Sequence, residues 1–386
     1  MSAEARLRDL VTPGSRVAVG DGMGAPRSVS AELSAAAGEA GGVRLVLGWL
    51  PTPDPGLDFA KFADVAALMS GWGVRSAMRA GDVRGVPVRW SAVPALLHGP
   101  MRPDVLVSTV VRTADGGYAF GTEVSWMQAA VASGAVVAGV LTHRAPHCAA
   151  GPALPAGQVR IVGETDAAVP PISFTSPGDV HHAIAEHVVA RVPAGARVQV
   201  GPGALGGAII SALACPVAVD SGMLPDGVVD LDRRGLLLGA PVGTYLAGGA
   251  ELLDWADGRG VLHPIEHSHD PSRLSRGAPL IAVNTALEID DQAQINVESS
   301  ATSIVAGIGG HPDYCAAGAR SVGGLSVIAL PAAHRGRPTL VDRLSGPVTT
   351  PGHDVDIVVT EHGAVDLRGL DRAGRARAIR RLWDRS

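Results

Sequence analysis

Arg197-Val198-Gln199-Val200-Gly201-Pro202-Gly203 is a short apolar run that breaks into a Gly-x-Gly loop, and a helical stretch to about Leu213 follows it. The turn Ala194-Gly195 precedes it. Near the other end of the chain, Pro13-Gly14 leads into Arg16-Val17-Ala18-Val19-Gly20-Asp21-Gly22, again followed by a helical stretch, to about Ala40. A second short strand follows each, at Val43–Leu47 and at Pro216–Val219. One echo of turn, strand, Gly loop, helix and strand at half-chain spacing indicates two similar α/β halves rather than a solenoid.

Outward from these two units, short β-branched runs bounded by Gly, Pro or Asp recur at Asp104–Val110, Ala135–Leu141, Val159–Val162, Leu280–Val283, Leu325–Leu330 and Val355–Val359. Such runs suit strands buried on both faces of a parallel or mixed sheet. Helical patterns lie between them at Thr122–Ser133, Pro177–Arg191, Leu205–Leu213 and Asp371–Leu382. The Pro- and Gly-rich stretch Gly151–Pro171 approaches a boundary expected near 180, which gives domains 1–180 and 181–386. A length of 386 residues fits two domains.

Composition removes several function classes. The formal net charge is −5 and no basic patch dominates, so nucleic acid is not an expected partner. Aromatic residues are 3%, too few for base-stacking platforms. Lys61 is the only lysine, which excludes a Gly-Lys-Ser/Thr phosphate loop and leaves one position for Schiff-base chemistry. Three cysteines, Cys148, Cys215 and Cys315, form no disulfide framework. The first ten residues carry acids and no apolar core, and the most apolar stretch, Met127–Leu141, is short of the roughly 20 residues a membrane span needs. A soluble cytoplasmic protein is the expectation, with no membrane partner.

Several motifs carry competing chemistry. Gly201-x-Gly203-x-x-Gly206 with Asp220 about 20 residues on is the pattern of a dinucleotide-binding turn; the same loop amides could instead serve an oxyanion. His263, Glu266, His267, His269 and Asp270 cluster in sequence, and His267 and His269 would share a strand face. Pro264 and Pro271 make the segment irregular and no paired Cys-x-x-Cys is present, so no metal is expected. His181, His182 and His187 read as a solvated helix face. No Gly-x-Ser-x-Gly elbow occurs. Cys148 and Cys315, the latter shortly after His311, are nucleophile candidates set against the commoner role of a core cysteine.

The C-terminal third is more specific. It contains Ala282-Val283-Asn284-Thr285-Ala286-Leu287-Glu288, then Ala306-Gly307-Ile308-Gly309-Gly310-His311-Pro312-Asp313-Tyr314, then Val358-Val359-Thr360-Glu361-His362-Gly363. With Asp226-Gly227-Val228-Val229-Asp230-Leu231 and His263-Pro264 before Asp270-Pro271, these blocks closely resemble the acetyl-CoA hydrolase/transferase family, which includes 4-hydroxybutyrate CoA-transferases. The resemblance is strong beyond about residue 195 and looser before it. It implies two related open α/β domains of the class I CoA-transferase type with the active site between them, coenzyme A as the substrate thioester, and a homodimer or homo-oligomer.

The resemblance also implies a chemistry, in which a glutamate attacks the acyl-CoA thioester and becomes an acyl anhydride and then a glutamyl-CoA thioester. That glutamate precedes Met in a stretch ending Asp-Gly-Val-Val-Asp-Leu. Here the stretch is Asp220-Ser221-Gly222-Met223-Leu224-Pro225-Asp226-Gly227, so the nucleophile position is Gly222. Water-dependent hydrolysis of a thioester, or of a β-keto C–C bond, is therefore expected in place of ping-pong transfer. Asp220, two residues earlier and about 6–7 Å back along the strand, could stand in as the carboxylate. Glu123, at the start of the expected Thr122–Ser133 helix, is a candidate general base; its plainer role is an acid favoured by the helix dipole.

The remaining family positions are Asn284 as an orienting amide, Gly309 and Gly310 beside the oxyanion, and Glu361 near the acyl site. Gly201, Gly203 and Gly206 form the loop near the thioester. His311 stands where many relatives carry glutamine and could act as acid or base. Gly352 stands where relatives often carry arginine, and Arg335 or Arg337 could meet CoA phosphates. Alternatives to hydrolysis are transfer through Asp220 or another carboxylate, a non-catalytic acyl-CoA binder, and a nicotinamide oxidoreductase built on the Gly201 loop.

Overall fold

A computed structural model describes residues 5–300 and 302–384; the first four residues of the N-terminal stretch lie outside it. The chain forms two compact units. One takes the chain up to Ile172 and again over Thr244–Glu266; the other takes Ser173–Gly243 and the chain from His267 on. Where the sequence suggested one boundary near 180, the chain leaves the first unit at Ile172 and later returns to it for 23 residues, Thr244–Glu266.

In the first unit the Arg16–Val19 strand runs parallel between Arg44–Leu47 and Val105–Arg112. Asp64–Ala67 extends the sheet on one side; Val136–Thr142 and Val159–Thr165 extend it on the other. Val105–Arg112 is buried along its length up to Arg112, which is why it reads as an unbroken apolar run. The helix Ser30–Ala40 carries the chain from the first strand to the second.

In the second unit Arg197–Val200 runs parallel between Ala218–Val219 and Leu280–Asn284. Leu325–Ala329 and Ile357–Thr360 follow in parallel, and Gly363–Asp366 closes the edge antiparallel. Ile328, Val358, Leu367 and Ile379 centre its core. The echo in the sequence is thus a shared topology: in each sheet the first strand lies between the second strand and a later one. The carboxyl end of that first strand is the switch point where open α/β sheets place ligands.

The helices Asp179–Val189, Ala204–Ala212 and Arg372–Trp383 lie where the patterns predict them. The Thr122–Ser133 pattern yields only Met127–Ala132. Ser125 has φ +45°, which interrupts a right-handed helix, and Glu123 instead sits in an isolated antiparallel bridge with Tyr245. Among the described residues no helix is long and apolar enough to cross a membrane.

Candidate active site

The Gly201 loop owes its glycines to packing. Gly203 takes φ +115°, and a Cβ at Gly206 would lie 2.0 Å from the Gly201 carbonyl oxygen, so the Ala204–Ala212 helix seats directly on the loop. Asp220 lies just beyond the neighbouring Ala218–Val219 strand and is 2% exposed. Its two oxygens accept from Arg273 Nη1 and Nη2 at 2.8 and 2.7 Å, and Arg197 Nη1 adds a third bond at 3.1 Å. Arg273 is delivered by the turn Pro271–Leu274, which Asp270 caps through the Ser272 amide and Pro271 opens. A bidentate pair plus a second guanidinium holds this carboxylate as a structural ion. It is not a free acid for ribose binding, as the dinucleotide reading needed, nor a free nucleophile.

Gly222 faces an imidazole. A Cβ at Gly222 would lie 3.2 Å from His269 Nε2 and 3.7 Å from the Tyr314 ring. A Cβ at Gly310 would lie 2.5 Å from the same Nε2. Two glycines that the family resemblance assigns to nucleophile and oxyanion positions therefore border one buried histidine. His269 Nδ1 pairs with Ser268 Oγ at 2.9 Å, and its ring meets Tyr314 edge-on at 5.0 Å between centroids. Burial, with Arg273 nearby, pushes its pKa down to about 3, so the ring is neutral. The expected strand face shared by His267 and His269 does not form, because Ile265–Ser268 is a helical turn.

Asn284 ends its strand buried, exchanging two 3.3 Å hydrogen bonds with the Gln199 amide of the adjacent strand and approaching Cys315 Sγ at 3.4 Å. His311 opens the helix His311–Arg320. Its Nε2 donates to the Thr285 carbonyl at 2.9 Å, and its Nδ1 accepts from Thr350 Oγ1 at 2.7 Å. Burial lowers its pKa to about 4, and both nitrogens are committed, so it serves as a loop strut rather than an acid or base. Gly309 has φ +58° and Gly310 forms the cap of that helix. Glu361 accepts the Ala332 amide at 2.8 Å, with His362 Nε2 3.7 Å from its other oxygen. Gly352 is fixed by close packing: a Cβ there would lie 2.0 Å from the Gln292 carbonyl oxygen. Arg335 and Arg337 lie on an exposed hairpin. Burial pushes the Cys315 thiol up to about 12, and the Cys148 thiol also rises while donating to the Gly121 carbonyl. Neither is a thiolate nucleophile.

The first unit holds a second centre, at the carboxyl end of Arg16–Val19. Glu123 is 3% exposed; its Oε2 accepts from the Gly24 amide at 3.1 Å and from Thr122 Oγ1 at 2.6 Å. A Cβ at either Gly22 or Gly24 would lie 2.6 Å from a Glu123 oxygen, so the Gly22-Met23-Gly24 turn is the cradle of this carboxyl group. Burial, with Asp21 adding repulsion, pushes its pKa up to about 8. Asp21 is fully buried; one oxygen accepts from the Trp49 amide, the Trp126 indole and the Tyr245 hydroxyl at 2.9, 2.9 and 2.7 Å. Its pKa rises to about 6 through burial. Tyr245 and Arg273 carry no signal in the sequence, Asp21 and Tyr314 stand in motifs that give them no role, and His269 is visible only as a metal candidate.

A family model for the acetyl-CoA hydrolase/transferase C-terminal domain matches residues 248–383. The chain is similar to 4-hydroxybutyrate coenzyme A transferase of Clostridium kluyveri, 26% identical over 331 residues, covering 81% of this chain and 77% of the relative. It is similar to butyryl-CoA:acetate CoA-transferase of Anaerostipes caccae, 26% identical over 322 residues, covering 76% and 72%. Among solved structures, RipA from Yersinia pestis shares the fold with a TM-score of 0.86 at 23% identity, over 96% of this chain and 91% of that one.

Proposed function

We propose that the chain is a member of the acetyl-CoA hydrolase/transferase family and acts on an acyl-CoA thioester with water, not a protein carboxylate, as the attacking group. The named activities of its relatives, on 4-hydroxybutyrate and on butyryl-CoA, point to a small acyl-CoA. The observation that carries the reading is Gly222. At the position where the resemblance calls for a nucleophilic glutamate, the neighbouring groups are the His269 imidazole and the Tyr314 ring. The carboxylate two residues away, Asp220, has both oxygens held by arginine.

A base takes a proton from water as the water oxygen attacks the carbonyl, and returns that proton to the CoA sulfur as the C–S bond breaks. Among the buried carboxyl groups, Glu123 is the candidate for that base. A carboxyl group with a pKa near 8 suits both halves of that transfer near neutral pH. The test is CoA release from a panel of short acyl-CoAs, with and without added carboxylate acceptors. The expected release is independent of acceptor; release that requires an acceptor overturns the reading in favour of transfer.

A further inference from the structure

His269 is built into the second unit in a way that a filler residue would not require. Its Nδ1 is tied to Ser268 at 2.9 Å, and Ser268 is fully buried. The ring leans edge-on against Tyr314, whose hydroxyl donates to the Ser268 carbonyl at 3.0 Å. Ser268 and Tyr314 therefore fix the ring from two sides. The atom left over, Nε2, points at the two glycines: it is 2.5 Å from where a Cβ of Gly310 would be and 3.2 Å from where a Cβ of Gly222 would be. The ring fits only because position 310 carries no side chain. Gly310 is also the cap of the ten-residue helix His311–Arg320, whose N-terminal end favours developing negative charge.

We propose that His269, as a neutral imidazole with its proton on Nε2, donates to the oxyanion that forms when the thioester carbonyl is attacked. In this tautomer Nδ1 accepts from the Ser268 hydroxyl across their 2.9 Å contact. As the water oxygen bonds to the carbonyl carbon, the C=O π pair moves onto oxygen and Nε2–H donates to it. On collapse that pair re-forms C=O, the C–S bond breaks, the sulfur takes the proton held by the base, and the acid product loses its own proton to solvent. His269 gives up no proton in the cycle. Its burial and the adjacent Arg273 cation favour an imidazole that stays uncharged, the state a donor needs.

This inference rests on the hydrolytic reading for its attacking group, and the experiment separates the two. In H269L the acyl-CoA hydrolysis kcat falls about 100-fold with KM changed by less than about three-fold, as for removal of one oxyanion donor. In H269Q, which keeps an N–H donor, kcat recovers to within about ten-fold of the parent, and the pH–rate profile keeps its shape in both variants. Nitrogen-15 spectra of the parent, assigned by the signal lost in H269Q, show a neutral Nε2–H ring from about pH 5 to about pH 8. Equal kcat in H269L and H269Q, or an imidazole that titrates within that range, overturns the proposal. If H269L does not fold, the H269Q kinetics and the spectra still decide. A covalent enzyme–CoA adduct in the parent defeats the hydrolytic reading alone, since the Leu–Gln contrast in CoA release still reports on the donor.

Discussion

Each unit buries a carboxyl centre beside its parallel sheet, and the two units treat that charge oppositely. In the second, Asp220 is matched by two guanidiniums through three hydrogen bonds. In the first, Glu123 and Asp21 receive only neutral donors, from amides, hydroxyls and an indole. A carboxylate paired in this way has its lone pairs spent on the guanidiniums. A buried acid held by neutral donors keeps its proton up to an unusual pH and can trade it, so the proposed proton transfer falls to Glu123 rather than to Asp220.

The largest effect expected from breaking this contrast is R273L. Removing the bidentate partner leaves Asp220 buried with one cation, and such losses cost about 3–5 kcal/mol. The urea midpoint should fall accordingly, while E123Q at pH 6 should change little because Glu123 is already protonated there. Equal losses in the two variants would erase the distinction.

Next comes pH. Glu123 binds its proton more tightly folded, with a pKa of about 8, than its ordinary value of 4.5. Between those values the folded state holds more protons than the unfolded one, so this group's contribution to stability is present at low pH and lost as pH rises through the window. The slope is at most about 1.4 kcal/mol per pH unit. E123Q should lack it, becoming relatively more stable than the parent by several kcal/mol at pH 9, read from paired urea titrations at pH 6 and pH 9. Parallel pH dependences would mean Glu123 is ordinary. In the same variant hydrolysis should be lost, whereas the parent rate should rise as pH approaches about 8.

Smaller effects come from the two glycines around His269. G310A puts a methyl 2.5 Å from Nε2 and should cost about 1–3 kcal/mol as overpacking, together with loss of turnover. G222A, at 3.2 Å, should cost less than about 1 kcal/mol, because the ring need move only a few tenths of an ångström. Reversal of that order by thermal denaturation would show that the ring does not sit as described.

The architecture was legible in the sequence because buried parallel strands are short continuous apolar runs followed by Gly loops, as at Arg16–Gly22 and Arg197–Gly203. The Asp64–Ala67 strand was not, since its Ala-rich composition has no period. The return of Thr244–Glu266 to the first unit depends on contacts such as Tyr245 to Asp21, 224 residues apart, which no local pattern records. Glu123 is legible as a candidate residue, but its pattern places it on a helix; the structure sets it in an extended bridge with Tyr245, just before the positive φ of Ser125. In the sequence His269 reads as a metal ligand, because His-x-His alternation suggests a strand face. The helical turn Ile265–Ser268 and the Asp270–Pro271 cap turn it inward towards glycines that lie 47 and 41 positions away in the sequence.

The central claim, that water rather than a protein carboxylate attacks the thioester, is tested most directly by a single turnover with excess enzyme in oxygen-18 water, followed by mass spectrometry of both acid product and intact protein. One heavy oxygen in the acid, none in the protein and no protein-bound CoA is the predicted result. Oxygen-18 in a protein carboxylate, or a protein mass increased by CoA, would contradict it.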